Sequence, residues 1–333
     1  MVDSVIRGLA RLRAREAGPM SQGLSPENAQ ACLHQAIRPL NTHSLEAALK
    51  EAGPMPSSIA FVIAYGVFTS PIEWVALALS AGSTVHIKAP SNDPSLVRAL
   101  VEDMQKEGLP ITWSTDRALP KTGAVVAFGD DESVQMIATA SPASTHALYG
   151  HRFSVALVTR SPEETAHALA LDIARYDTRG CMAPTAIFTT GDADALASAL
   201  ADALQNTEHR WPRGQVDPAL GPEWRRRVGL ARIVGSVQTG TNWAVTVLPH
   251  QYFTPSALPR MATIHPVADV TEFQTLMTQW APWLSTCGTD APTLVGDDFP
   301  RICALGWMQA PPFPRNHDGR TMLGGLKRES EED

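Results

Sequence analysis

Short apolar runs alternating with longer amphipathic stretches from Ser57 onward constrain this chain more than any other feature. A strand that is apolar on both faces belongs inside a parallel sheet, and each parallel pairing needs a crossover, usually a helix. Residues 59–65 read as such a strand and 66–69 as a turn. Ser70-Pro71-Ile72-Glu73 then reads as a helix start, with an N-cap serine, a proline at N1 and a capping-box glutamate. The helix runs to Ala81 and stops at Gly82. Residues 84–88 form the next strand, and Asp93-Pro94 opens a helix in which Leu96, Val97, Leu100, Val101 and Met104 recur at helical spacing. A third strand, 124–128, leads through Gly129-Asp130-Asp131-Glu132 into another helix. Three βα units in succession predict an α/β fold with a doubly wound nucleotide-binding sheet.

A second block begins near His151. Residues 154–158 read as a strand, and Ser161-Pro162-Glu163-Glu164 as another capping box opening a helix that turns Ala166, Leu169, Ala170 and Ile173 inward and ends near Tyr176. A polar loop, Asp177-Thr178-Arg179-Gly180-Cys181, follows, then a strand at 186–190 and an alanine-rich helix at 192–204. Residues 208–221, rich in Pro, Arg and Gly, read as a surface excursion. Further strands are expected at 243–248, 261–267 and 301–304, with a helix at 271–280. The division expected is a nucleotide-binding domain over 1–150, N-terminal helices included, a catalytic domain over 151–310, and a segment over 311–333 that returns to the cleft and ends in a frayed, charged tail from Lys327. The N-terminus puts Val2, Val5, Ile6, Leu9 and Leu12 on one helical face and Arg7, Arg11, Arg13 and Arg15 elsewhere. Asp3 and Glu16 argue against a transit peptide, so this reads as an amphipathic helix lying on its own domain.

Composition narrows the function. The chain has 333 residues, 27 Lys+Arg against 34 Asp+Glu and a net charge of −7, which argues against a nucleic-acid partner. The longest apolar run, 59–68, falls short of the ~18 residues of a membrane span, so a soluble protein is expected. Four cysteines, Cys32, Cys181, Cys287 and Cys303, are too scattered for a disulfide framework or a CxxC metal knuckle. No metal site is expected, and a reducing, cytoplasmic compartment fits. Cys181 stands apart: it follows a glycine at the end of a helix-loop element, behind Asp177, Thr178 and Arg179. Arg179 and nearby amides would lower its pKa and give the thiolate that attacks carbonyl carbon, against the competing reading of a buried structural thiol. The other three cysteines read as core.

The stretch Ala174-Arg175-Tyr176-Asp177-Thr178-Arg179-Gly180-Cys181-Met182-Ala183-Pro184 resembles the nucleophile segment of fatty acyl-CoA reductases of the bioluminescence (LuxC-like) type, a branch of the aldehyde dehydrogenase superfamily. Three more segments agree in order. Ala81-Gly82-Ser83-Thr84-Val85-His86-Ile87-Lys88-Ala89-Pro90-Ser91 resembles the strand whose lysine meets the cofactor ribose. Arg260-Met261-Ala262-Thr263-Ile264-His265-Pro266-Val267 resembles a late catalytic-domain strand, and Arg301-Ile302-Cys303-Ala304-Leu305-Gly306-Trp307-Met308-Gln309 with Asn316-His317-Asp318-Gly319 resembles the C-terminal end. The similarity spans about residues 60–326.

The resemblance implies an aldehyde dehydrogenase-like fold of two doubly wound domains and a two-step reaction. Cys181 would displace CoA from an acyl-CoA, and NADPH, or alternatively NADH, would deliver hydride to the enzyme thioester, releasing an aldehyde. Lys88 would contact the adenosine ribose or a 2′-phosphate, with Ser91 beside it and Gly129 letting backbone approach the pyrophosphate; no GxGxxG is present. Hydrolytic relatives need a glutamate in the segment that here reads Leu148-Tyr149-Gly150-His151-Arg152-Phe153-Ser154. Its absence favours thiol exchange over aldehyde oxidation. The asparagine expected to help form the oxyanion hole is missing from Gly66-Val67-Phe68-Thr69-Ser70-Pro71, leaving Thr69 as substitute donor, since Ser70 reads as an N-cap. Losing such a donor typically costs about 10²–10³ in rate, so the alternative is a catalytically impaired relative that binds nucleotide or a partner protein. His317 would relay a proton or position substrate, although a histidine in such a loop reads more readily as exposed. Arg225-Arg226-Arg227 would attract CoA phosphates or form a solvated helix face. Partners implied are acyl-CoA, a second copy in a homodimer, or an enzyme that hands over the acyl group.

Overall fold

In the computed structural model, which describes residues 1–326, the apolar runs become two separate sheets in two compact units. The first unit comprises Met1–Gln22, Ala29–His151 and the chain from Pro312 onward; the second comprises Gly23–Asn28 and Arg152–Pro311.

The first unit contains α1 (Val2–Arg13), α2 (Pro26–Ile37, its first turn excepted), α3 (Thr42–Ala52), β1 (Ser58–Val62), α4 (Pro71–Ser80), β2 (Thr84–Lys88), α5 (Ser95–Gln105), β3 (Ile111–Ser114), β4 (Ala124–Phe128), α6 (Asp131–Ala140) and β5 (Thr145–Tyr149). The five strands form a wholly parallel sheet in the order β3-β2-β1-β4-β5. Ile59, Ala60 and Phe61 of the central strand are fully buried, as their unbroken apolar sequence requires. Helix α1 seats Val5, Leu9 and Leu12 inward and packs on α3, α4 and α5, the amphipathic arrangement its spacing predicts.

The second unit contains β6 (Phe153–Val158), α7 (Pro162–Ala174), β7 (Pro184–Thr189), α8 (Ala193–Arg210), α9 (Gly221–Val234), β8 (Ser236–Thr239), β9 (Ala244–Val247), β10 (Met261–Pro266), α10 (Val270–Thr278), β11 (Leu284–Thr289) and β12 (Arg301–Cys303). Its seven strands run β12-β11-β6-β7-β10-β9-β8, parallel except for the edge pair β8-β9. A short hairpin, β13 (Asn316–His317) and β14 (Arg320–Thr321), belongs to the first unit. The charged tail read from Lys327 lies outside the described residues. No helix among the described residues is long and apolar enough to cross a membrane.

Several local readings need correction. The first strand ends at Val62, not at residue 65: Ile63 N still bonds to Lys88 O, but Tyr65 is exposed and its hydroxyl donates to Gln22 O. Ser70 does not cap α4. Its backbone is already helical, at φ −53° and ψ −34°, because Ser70 N bonds to Val67 O in a preceding turn, and a cap requires extended geometry. Glu73 pairs with Arg315 rather than closing a capping box. Ser161 likewise makes no cap; its hydroxyl donates to Glu163 Oε2 at 2.6 Å. Asp130, Asp192 and Asp269 do cap their helices. Helix α8 runs on to Arg210, so the excursion read from 208 begins inside a helix. Strands β3, β5 and β8 escaped the sequence reading because they are half-exposed edges, and β11 because its buried face is built from Ser, Thr, Cys and Gly.

Asp172, fully buried in α7, accepts from the backbone N–H groups of Gly306 and Met308, the latter at 3.0 Å, and so pins the segment after β12. Burial pushes its carboxyl up to about 7, above an unfolded value near 3.9. The folded state therefore holds this proton more tightly. The associated stability is complete below about pH 4 and is lost as pH rises to about 7, on the order of 4 kcal/mol. Asp172→Asn should flatten urea-unfolding stability across that range relative to the unmodified chain.

Candidate active site

Cys181 lies in the second unit at the end of an unusual backbone path. After α7 the chain passes through Tyr176, Asp177 and Thr178 at φ of 55°, 51° and 61°, then Gly180 at 85°. Non-glycine residues in this left-handed region cost about 1–2 kcal/mol each, so three in succession need compensation, and buried polar contacts supply it. Arg260, φ 49° and 1% exposed, donates through Nε to Asp177 Oδ1 at 2.8 Å, through Nη1 to Glu208 Oε2 at 2.6 Å and through Nη2 to Ala174 O at 3.4 Å. Its backbone N donates to Thr178 Oγ1, which itself donates to Ile173 O. Asn28 Nδ2 bonds to Ala174 O at 2.9 Å, and Gly214 N donates to Asp177 Oδ2 at 2.9 Å. Gly214 lies so close to Gly23 that an added Cβ would come within 2.2 Å of the Gly23 carbonyl. Asp177 and Thr178 are thus buried scaffold, not the polar loop the sequence suggested.

Cys181 itself is half-buried. Its carbonyl accepts from Ser154 Oγ at 2.6 Å, and the same oxygen takes the Thr286 N–H at 2.9 Å. Arg179 Nη2 donates to Gln215 O, tying the loop to the 213–215 segment. The other cysteines are poorer nucleophiles: Cys32 and Cys287 are buried, burial pushes the Cys287 thiol strongly up, and it lifts the half-buried Cys303 to about 11. No disulfide joins any of the four.

In the first unit, Lys88 closes β2, Ser91 is exposed in the loop after it, Thr69 is buried in the turn between β1 and α4, and Gly129 follows β4. All four lie at the carboxyl edge of one parallel sheet. There β1 is flanked by β2 on one side and β4 on the other, the switch point where open α/β sheets bind ligands. This edge fits a nicotinamide dinucleotide: Lys88 offers a cation, Ser91 a hydroxyl, and Gly66, at φ 138° with nothing within 4 Å of an added Cβ, open backbone. Gly129 is not constrained to be glycine, since an added Cβ would meet Ser133 and Val134 at ordinary distances of 3.5 and 3.6 Å.

His317 is not the exposed loop histidine expected. It packs edge-on against Tyr149 and Trp74, at 4.8 and 5.4 Å between ring centres, and its Nδ1 lies 2.8 Å from Arg315 Nη1. An arginine only donates, so Nδ1 accepts and the proton sits on Nε2. Burial, with Arg315 and Arg320 nearby, lowers its pKa well below the ordinary value. A neutral, packed imidazole is poorly suited to proton relay at neutral pH. The arginine triplet is also more than a solvated face: Arg226 and Arg227 share Glu223, and Arg227 is buried. Sequence reasoning gave Ser154, Asn28 and Glu208 no part in the site, and quoted Arg260 without a role. An arginine directly before an apolar strand was the one available signal.

These two parallel-sheet units have the fold of aldehyde dehydrogenases. An NAD-dependent benzaldehyde dehydrogenase from Corynebacterium glutamicum aligns at TM-score 0.68 and 14% identity, over 92% of this chain and 82% of its own. An oxidoreductase from Marinobacter aquaeolei aligns at TM-score 0.75 and 12% identity, over 98% and 83%. An acetylating aldehyde dehydrogenase from Geobacillus thermoglucosidasius aligns at 0.63 and 12%, over 96% and 86%. The acyl-CoA reductase (LuxC) family model matches residues 113–329, and the chain belongs to that family. The resemblance and fold class read from the sequence are therefore borne out. Long-chain acyl-protein thioester reductase 2 of Photobacterium leiognathi is 27% identical over 235 residues, covering 63% of this chain and 49% of that protein. The chain spans about half the length of this curated relative.

Proposed function

We propose that this protein reduces an acyl thioester to the aldehyde through a thioester on Cys181. The observation that carries the reading is the placement of Cys181: half-buried, its carbonyl anchored by Ser154, on a strained loop locked by Arg260. The thiolate of Cys181 attacks the acyl carbonyl carbon, and the donor thiol leaves as its own thiolate. One thioester is exchanged for another at nearly equal energy, so orientation and oxyanion stabilisation matter more than a strong base. A nicotinamide cofactor, when bound, would supply hydride to the acyl carbon; Cys181 then leaves that carbon as its thiolate as the carbon–sulfur bond breaks, freeing the aldehyde. The 148–154 segment offers no carboxylate to activate water, which favours thiol exchange over hydrolysis. Thr69 is assigned the hydroxyl that stabilises the oxyanion in place of the missing asparagine.

The proposed acyl donor is a fatty acyl-CoA, and the proposed cofactor is NADPH, held by Lys88 and Ser91. Aldehyde released from acyl-CoA with NADPH, and more slowly with NADH, supports this; NAD(P)-linked oxidation of free aldehyde without added thiol contradicts it. Lys88→Met should weaken cofactor binding by about 10–100-fold, the worth of one charge-assisted hydrogen bond. Fluorescence titration measures this, and unchanged affinity removes Lys88 from the site.

A further inference from the structure

The second unit contains a cavity of about 210 Å³ whose wall brings together Arg227 of α9, Thr185 of β7, Thr263 and His265 of β10, and the apolar side chains of Leu230 and Leu248. Of the residues weighed above for a role in the reaction, Arg226 and Arg227 line it, while Cys181, Thr69, Lys88, Ser91 and His317 do not.

Two nearly buried residues, Arg227 and His265, bring polar chemistry to its wall. Arg227, only 7% exposed in its side chain, gives Nε to Glu223 Oε1 at 3.0 Å, while Arg226 grips the same carboxylate through Nε and Nη2 at 2.6 and 2.7 Å. Two guanidinium groups around one carboxylate leave a net positive charge, and the terminal nitrogens of Arg227 take no hydrogen bond among the described residues. His265 is 1% exposed, its ring clamped by Phe188 and Phe253 at 5.4 and 5.8 Å. Its Nδ1 lies 2.9 Å from the Leu248 carbonyl, which only accepts, so Nδ1 carries the proton and Nε2 is a lone-pair acceptor. Nε2 has no side-chain partner among the described residues, the Pro249 carbonyl also bears on the ring, and His265 is one of the residues that line the cavity. Burial lowers this imidazole to about 4, so it stays neutral and accepting at neutral pH.

A cation and a buried acceptor together ask for a ligand that is negative on one side and donates on the other. A volume of about 210 Å³ admits a small molecule of that kind. We propose that this cavity binds a small oxyanion carrying its own O–H group, with Arg227 pairing the charge and His265 Nε2 accepting the hydroxyl hydrogen. Hydrogen phosphate and a short hydroxycarboxylate both have this chemistry. Sulfate and a plain carboxylate have the charge without the donor.

Calorimetric titration of the full chain at neutral pH and constant ionic strength compares phosphate with sulfate and lactate with propanoate. The donor-bearing member of at least one pair should bind about tenfold tighter or more, the cost of leaving a buried acceptor unpaired. Whichever pair discriminates identifies the source of the oxyanion. The ¹⁵N resonance of His265 Nε2 should move on saturation, and Arg227→Gln should lose about tenfold in affinity or more. Equal affinities within both pairs, no saturation up to about 10 mM, or an unmoved His265 resonance would overturn the proposal. The resonance is read on the unmodified protein, so the test survives a variant that fails to fold, and it is independent of whether Cys181 carries an acyl group.

Discussion

Cys181→Ala lowers aldehyde formation from an acyl thioester by about 10⁴-fold or more, the scale on which losing a covalent nucleophile acts. The chain stays folded, because Ser154 anchors the carbonyl of residue 181 and alanine keeps that carbonyl. None of the other cysteines replaces it. Cys32 and Cys287 are buried, and Cys303, with its thiol lifted to about 11, has too little thiolate at neutral pH. Cys303→Ala, assayed alongside, should retain activity within a small factor. Equal losses in both variants would point to a packing effect and not to a nucleophile.

Arg260→Met carries the second large effect. Removing the guanidinium leaves Asp177 buried without its ion-pair partner and Glu208 without its closest contact, and breaking a buried pair from one side costs about 3–5 kcal/mol. The loop ahead of Cys181 then loses what holds three left-handed residues in place. Urea unfolding should show the destabilisation, and the acylation rate of Cys181 should fall even where the variant is fully folded. Arg260→Lys should restore only part of either property, since an ammonium group cannot serve Asp177, Glu208 and the Ala174 carbonyl at once. Full acylation in a folded Arg260→Met variant would reduce Arg260 to a stabilising residue with no part in positioning the thiol.

The fold was legible in the sequence where burial leaves a strong pattern. Ala124–Phe128 was read to the residue because it is apolar on both faces, and Thr84–Lys88 because Val85 and Ile87 alternate with polar residues behind the Gly82 turn. Edge strands such as Ile111–Ser114 show one face to water and lose that signature. Ser70 and Ser161 looked like caps, but Ser70 is already helical in its backbone and the Ser161 hydroxyl is taken by Glu163, neither of which residue identity sets. At the candidate site, Cys181 could be found from its neighbours. Its support could not, because Arg260 is 83 positions from Asp177 and Ser154 is 27 from Cys181, and nothing local in a sequence marks such pairings. His317 was misjudged for the same reason: its aromatic surroundings come from Trp74, Phe128 and Tyr149, each distant in the chain.

The central claim is tested most directly by mass spectrometry of the protein mixed with a fatty acyl-CoA in the absence of nicotinamide cofactor. The account predicts a mass increase of one acyl group, located on the peptide containing Cys181, with free CoA released in equal amount and the label discharged as aldehyde once NADPH is added. An unmodified Cys181 under these conditions, or an acyl group found on another residue, would contradict it.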